Sequence, residues 1–80
     1  MVGVYLTSID ELSKTGKKQL EDGQYEDALN SFERALLLNR NDPDLWNLKG
    51  IALRSLGRYN EAVECFNKSL EIDPRDKHSS

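Results

Sequence analysis

Cysteine, histidine and proline are scarce in this 80-residue chain, and each scarcity closes off a class of chemistry. Cys65 is the sole cysteine, so no intrachain disulfide can form, and a zinc site would lack thiolate partners. Its place in an apolar helical pattern makes it a small core or interface residue. His78 is the sole histidine and lies in a polar tail, so imidazole acid/base work or metal binding has no second group to call on. There is no glycine-rich phosphate loop. The carboxylates are abundant but scattered along helix faces, with nothing to suggest a pair in a pocket. No catalytic residue, metal or cofactor is therefore expected, and the chain is not expected to be an enzyme.

Positive charge is also short. Eleven Lys and Arg residues face 14 Asp and Glu, leaving a net charge of −3. Phosphate-backbone binding needs a basic patch, and the only short basic cluster is Lys14, Lys17 and Lys18, so no nucleic-acid partner is expected. Long hydrophobic runs are missing, which excludes a membrane-spanning helix as an expectation. Met1 to Ser8 shows no basic region followed by an apolar run, so no secretory signal is expected. A reduced, cytoplasmic setting is the simplest expectation. Eighty residues make one small domain, which buries about 60–65% of the surface its unfolded chain exposes.

What the chain does have is an internal echo. The segment from Ile9 to Asp42 recurs, shifted by 34 residues, as Pro43 to Asp76. The pairs Asp10/Asp44, Gly16/Gly50, Gly23/Gly57, Tyr25/Tyr59, Ala28/Ala62, Phe32/Phe66, Leu36/Leu70 and Asp42/Asp76 are identical. A period of this length points to stacked helical hairpins. Ser8-Ile9-Asp10-Glu11 matches a capping box and opens a first helix with a narrow stripe of Ile9, Leu12, Gly16 and Leu20. Gly23 breaks it. A second helix starts near Tyr25, with Ala28, Leu29, Phe32, Ala35 and Leu36 at helical spacing. Asp42-Pro43 is an N-cap followed by proline at the first helical position. The third helix carries Leu45, Trp46, Leu48, Ile51, Ala52, Leu53 and Leu56, apolar around most of its girth, until Gly57. The fourth carries Tyr59, Ala62, Val63, Phe66, Leu70 and Ile72 and stops at Asp73-Pro74.

The expected fold is all-α: two antiparallel helix-turn-helix hairpins stacked over residues 9–76, as repeats 9–42 and 43–76. Residues 1–8 form an N-terminal extension, and 77–80 are expected to be a disordered tail. Gly16 and Gly50 would let the paired helices approach, facing Ala28 and Ala62, while Phe32 and Phe66 would fill the gap between one hairpin and the next.

These residues resemble the tetratricopeptide repeat family, whose pattern is W-x₂-L-G-x₂-Y, then A-x₃-F, then P. The second repeat supplies Trp46, Gly50, Ala62, Phe66 and Pro74 in register, departing at Lys49 and Leu53. The first keeps Gly16, Ala28 and Phe32, with Leu12, Thr15, Gln19 and Arg40 at the other pattern positions. The resemblance implies a protein-interaction scaffold in which the first helix of each hairpin lines a concave groove for a peptide or partner helix. Carried onto this chain, the groove candidates are Asp10, Ser13, Lys17 and Glu21, with Asn47, Ile51, Arg54 and Ser55. Lys17, Asn47 and Arg54 make a donor-rich set for a carboxylate or for backbone carbonyls. A family subtype that clamps acidic chaperone tails uses a lysine and two asparagines. The matching positions here hold Ser13, Lys17 and Leu48, so that role is not expected.

The fourth helix is strongly apolar for a terminal element, and stacked repeats need a polar cap. The alternative is therefore a structural unit that self-associates through Val63, Cys65, Phe66, Leu70 and Ile72, or the N-terminal piece of a larger multidomain protein with a following repeat against that face.

Overall fold

The computed structural model describes residues 8–73. The expectations for residues 1–7, for Pro74 to Asp76 and for the tail at 77–80 lie outside the described residues. Four helices follow one another: α1 (Ile9–Glu21), α2 (Tyr25–Leu38), α3 (Pro43–Ser55) and α4 (Tyr59–Ile72). The fold is all-α among the described residues. Each helix packs on its neighbour in sequence, α1 on α2, α2 on α3, α3 on α4, and α1 only grazes α3.

Local chemistry sets both ends of α1 and of α3. Ser8 Oγ accepts from the Glu11 amide at 3.2 Å, and Asp42 Oδ1 accepts from the Asp44 amide at 3.0 Å, satisfying donors that the first turns of α1 and α3 leave orphaned. Both odd-numbered helices end in the same six-residue device. The Gln24 amide reaches the Gln19 carbonyl at 2.8 Å and the Gly23 amide reaches Leu20 at 3.1 Å. Arg58 and Gly57 repeat this against Leu53 and Arg54 at 2.9 and 3.0 Å. This Schellman arrangement needs a left-handed residue at its turn, and Gly23 and Gly57 supply φ of 81° and 84°. The chain thereby reverses within three residues, and the next helix lies antiparallel on the last.

The core runs through the middle of the stack: Leu12, Ala28, Leu29, Phe32, Ala35, Leu36, Leu45, Ala52, Leu53, Ala62 and Cys65 are all buried. Phe32 and Leu45 are the largest fully buried side chains. The phenylalanines also have a role within their own hairpins. Each ring lies against the glycine of its own hairpin, Phe32 on Gly16 and Phe66 on Gly50, where any Cβ would overlap the ring. The small residue thus makes room for an aromatic ring crossing within the hairpin, and Ala28 and Ala62 are buried beside that crossing without being the glycines' nearest neighbours.

The two hairpins differ at one coupled pair. In the first, the Ser31 hydroxyl donates to Gln19 Oε1 at 2.7 Å in a part-buried bond between α1 and α2. The positions 34 residues on are Cys65 and Leu53, both buried. A polar pair is exchanged for an apolar one as a unit, so neither hairpin buries an unsatisfied group.

Candidate functional site

Three surfaces escape the core. The first is the shared face of α1 and α3. With about 100° of rotation per residue, Asn47, Ile51 and Arg54 fall within roughly 60° of one another on α3, and Ser13, Lys17 and Glu21 within roughly 80° on α1. Lys17, Glu21, Asn47 and Arg54 are exposed, and Ser13 and Ile51 half-buried. The Arg54 guanidinium lies 6.0 Å from the centre of the Phe66 ring, at the outer limit of a cation–π contact that holds it along α4.

The second surface is the outer side of α4. Tyr59, Val63, Phe66 and Leu70 form a single stripe at i, i+4, i+7 and i+11. Tyr25, Leu29, Phe32 and Leu36 occupy the corresponding positions of α2, the helix that packs on α3, and the last three are buried. Leu29 is 7% exposed, whereas its counterpart Val63 is 53% exposed. Leu70 and Ile72 are half-buried. Cys65 does not belong to this surface. It is 4% exposed and shares the core-facing side of α4 with Ala62 and Ser69, roughly 100° around the helix from the stripe. Burial pushes its thiol pKa up, with Lys49 opposing and Glu64, Glu61 and Glu33 adding to the shift. Phe66 is only half on the surface, since one side of its ring is spent on Gly50.

The third surface is a cleft of about 400 Å³ between the C-terminal half of α2 and the start of α3, lined by Leu36, Leu37, Trp46, Arg34, Arg40 and Lys49, with Glu33 at its edge. None of the candidate groove residues lines it. Trp46 anchors it: the indole N–H donates to the Arg40 carbonyl at 2.7 Å, tying the loop between α2 and α3 onto the helix. Lys49 sits 5.3 Å from the centre of the Trp46 ring and 3.6 Å from Glu33 Oε2. Sequence reasoning missed this cleft. Its one available signal was Lys49, a cation where the repeat pattern has leucine.

At the other end of α3, the Arg58 guanidinium makes a bidentate pair with Glu61, at 2.7 and 2.9 Å. That hydrogen bond and the opposite charge hold the Glu61 carboxyl below the usual carboxylate range and push Arg58 up. The pair is exposed and spans the first turn of α4, which has no side-chain cap. No group of His, Cys, Asp and Glu among the described residues could hold a metal ion. No helix among them is long and apolar enough to cross a membrane.

Two stacked hairpins, paired in the same way and carrying their variable residues on exposed helix faces, define a helical-repeat scaffold. Comparison with known proteins makes this specific. Tetratricopeptide repeat profiles match residues 43–76 and, separately, 19–45. The chain belongs to the tetratricopeptide repeat family, whose repeats serve as protein-interaction scaffolds. An uncharacterized protein of Methanocaldococcus jannaschii is 42% identical over 65 residues, covering 81% of this chain and 76% of that protein. The Hsp70-Hsp90 organising protein of Plasmodium falciparum is 40% identical over 62 residues, covering 76% of this chain and 24% of that protein. The peroxisomal targeting signal receptor of Saccharomyces cerevisiae is 32% identical over 50 residues, 62% of this chain but 8% of that receptor. The chain thus spans most of the archaeal relative and only a small part of the two eukaryotic ones.

Proposed function

We propose that this chain is a protein-interaction module that holds a peptide or partner helix along the shared face of α1 and α3, with no catalytic step of its own. One observation carries the reading: Asn47, Ile51 and Arg54 cluster on the side of α3 that the core leaves open, beside the corresponding side of α1 with Ser13, Lys17 and Glu21. Donors dominate this set, so the partner presents carboxylates or free carbonyls, and Ile51 offers an apolar seat between them. A cytoplasmic setting, with neither nucleic acid nor membrane as partner, belongs to the same proposal. The double charge reversal Lys17→Glu, Arg54→Glu tests it. Both residues are exposed, so the variant keeps its helical content, while a partner captured from lysate by the native chain and identified by mass spectrometry is lost. Unchanged capture refutes the reading.

A second reading has its own support. The Tyr59, Val63, Phe66 and Leu70 stripe is built like that of α2, the helix that packs on α3, so a helix of α3-like character fits it, from a second copy or a following repeat. Ultracentrifugation over a concentration series decides whether copies of this chain supply that helix. Association that Val63→Lys abolishes supports self-assembly; a strict monomer at every concentration rejects it.

A further inference from the structure

We infer that the cleft between α2 and α3 is a second docking site, distinct from the α1/α3 face, and that its occupant is an acidic peptide inserting one apolar side chain. The two surfaces are well separated. On α3, Trp46 and Lys49 point roughly 140° away from the mean direction of Asn47, Ile51 and Arg54. One molecule therefore can hold partners on both sides at once.

The floor of the cleft is apolar and preformed. Leu36 and Leu37 come from α2 and Trp46 from α3. Trp46 is fixed at its edge by the Arg40 carbonyl and capped by Lys49, so the aromatic wall needs no ordering when a ligand arrives. Leu37 is 72% exposed, the most exposed large apolar side chain among the described residues, and it forms one lip. A volume of about 400 Å³ lies at the small end of ligand sites, the room that one or two large side chains fill.

The rim decides the sign of the partner. Arg34, Arg40 and Lys49 contribute three cations, and Glu33 is the only carboxylate among the lining residues. Glu33 is already engaged by Lys49. Neither Arg34 nor Arg40 pairs with a described acidic residue, although the chain as a whole carries a net charge of −3. A locally basic rim on an acidic molecule attracts anions and turns away cations. Two free guanidiniums flanking an apolar slot match carboxylates on either side of a Leu or Phe, since arginine binds carboxylate in bidentate fashion. A basic peptide would find only a carboxylate that is already paired.

Trp46 is the sole tryptophan, so its emission reports on the side of α3 that carries this cleft. The native chain is titrated with two synthetic peptides sharing a central Leu-Phe pair, one flanked by Asp and Glu, the other by Lys. The acidic peptide shifts Trp46 emission and saturates, the effect fades with added salt, and the basic peptide leaves the emission unchanged. Arg34→Glu, Arg40→Glu weakens the acidic peptide by about tenfold or more, with helical content unchanged because both side chains are exposed. Lys17→Glu, Arg54→Glu leaves it intact, which separates this site from the α1/α3 face. A flat titration, equal binding of both peptides, or loss on changing Lys17 and Arg54 overturns the inference. So does a Trp46 shift on concentrating the protein alone, which would assign the cleft to a second copy.

Discussion

Substituting alanine at Gly16 and at Gly50 is chemically the same change at matched positions, and the structure predicts different results. Each glycine is mid-helix, so alanine brings about 1 kcal/mol of helix propensity in its favour. Against that, a Cβ on Gly16 overlaps Phe32 Cε1 and stands 2.7 Å from Cζ and 2.9 Å from Cδ1. On Gly50 it stands 2.5 Å from Phe66 Cε1, 2.8 Å from Cδ1 and 2.9 Å from Cζ. The clashes are nearly equal; the freedom to relieve them is not. Phe32 is 0% exposed, so its ring can move only by displacing other core side chains. Overpacking of that kind costs about 1–3 kcal/mol, and a rigid site belongs at the upper end. Phe66 has its outer side in solvent and can swing away from α3 for about 1 kcal/mol. Gly16→Ala should therefore lose about 1–2 kcal/mol net, and Gly50→Ala should fall within about 0.5 kcal/mol of the native chain. Urea unfolding followed by far-UV circular dichroism reads both, and the first change should lower the midpoint by roughly 1 M. If Gly16→Ala is as stable as the native chain, or Gly50→Ala is the worse of the two, ring confinement does not set the outcome.

The same asymmetry governs truncation. Phe32→Ala should cost about 3–5 kcal/mol and leave a domain of this size unfolded at room temperature, whereas Phe66→Ala should cost about half as much and keep its helical signal. At the left-handed turn, Gly57→Ala meets no atom within 4 Å yet must hold φ near 84°, so it should lose about 1 kcal/mol in the same urea assay, and Gly57→Asn less. Because Cys65 keeps its proton to higher pH when folded, the unfolded chain binds fewer protons above pH about 8.5. Its contribution to stability is complete below that pH and declines as pH rises; the native curve should fall more steeply than that of Cys65→Ala, and thiol labelling should be slow until urea unfolds the chain. Parallel curves with prompt labelling would show that the thiol is not buried.

Helix boundaries were legible because single residues enforce them. Ser8 and Asp42 cap their helices, and Gly23 and Gly57 turn the chain, each through bonds within six residues. Which side of α4 faces inward was not legible. Its large apolar residues Tyr59, Val63, Phe66 and Leu70 lie on one seam and the small Ala62, Cys65 and Ser69 on the next, and hydrophobicity alone favours the first although the second is the buried one. The burial of Cys65 becomes readable only beside Leu53, once the Gln19–Ser31 pair of the first hairpin is known. The cleft stayed hidden for a different reason: its anchor is a bond to the Arg40 backbone, and a carbonyl has no signature in the side-chain pattern. The α1/α3 candidates came from the family's pattern, and their spacing sets them on one side of each helix.

Among the described residues the helices touch almost entirely in sequence order: α1 only grazes α3 and makes no contact with α4. Most packing joins helices that adjoin in sequence, so the entropy of closing long loops adds little to the folding barrier. Chains of such low contact order fold in microseconds to milliseconds. Packing is denser within each hairpin, α1 on α2 and α3 on α4, than across the α2–α3 seam between them. Each hairpin is therefore the cooperative unit, and the seam is where the stack parts first.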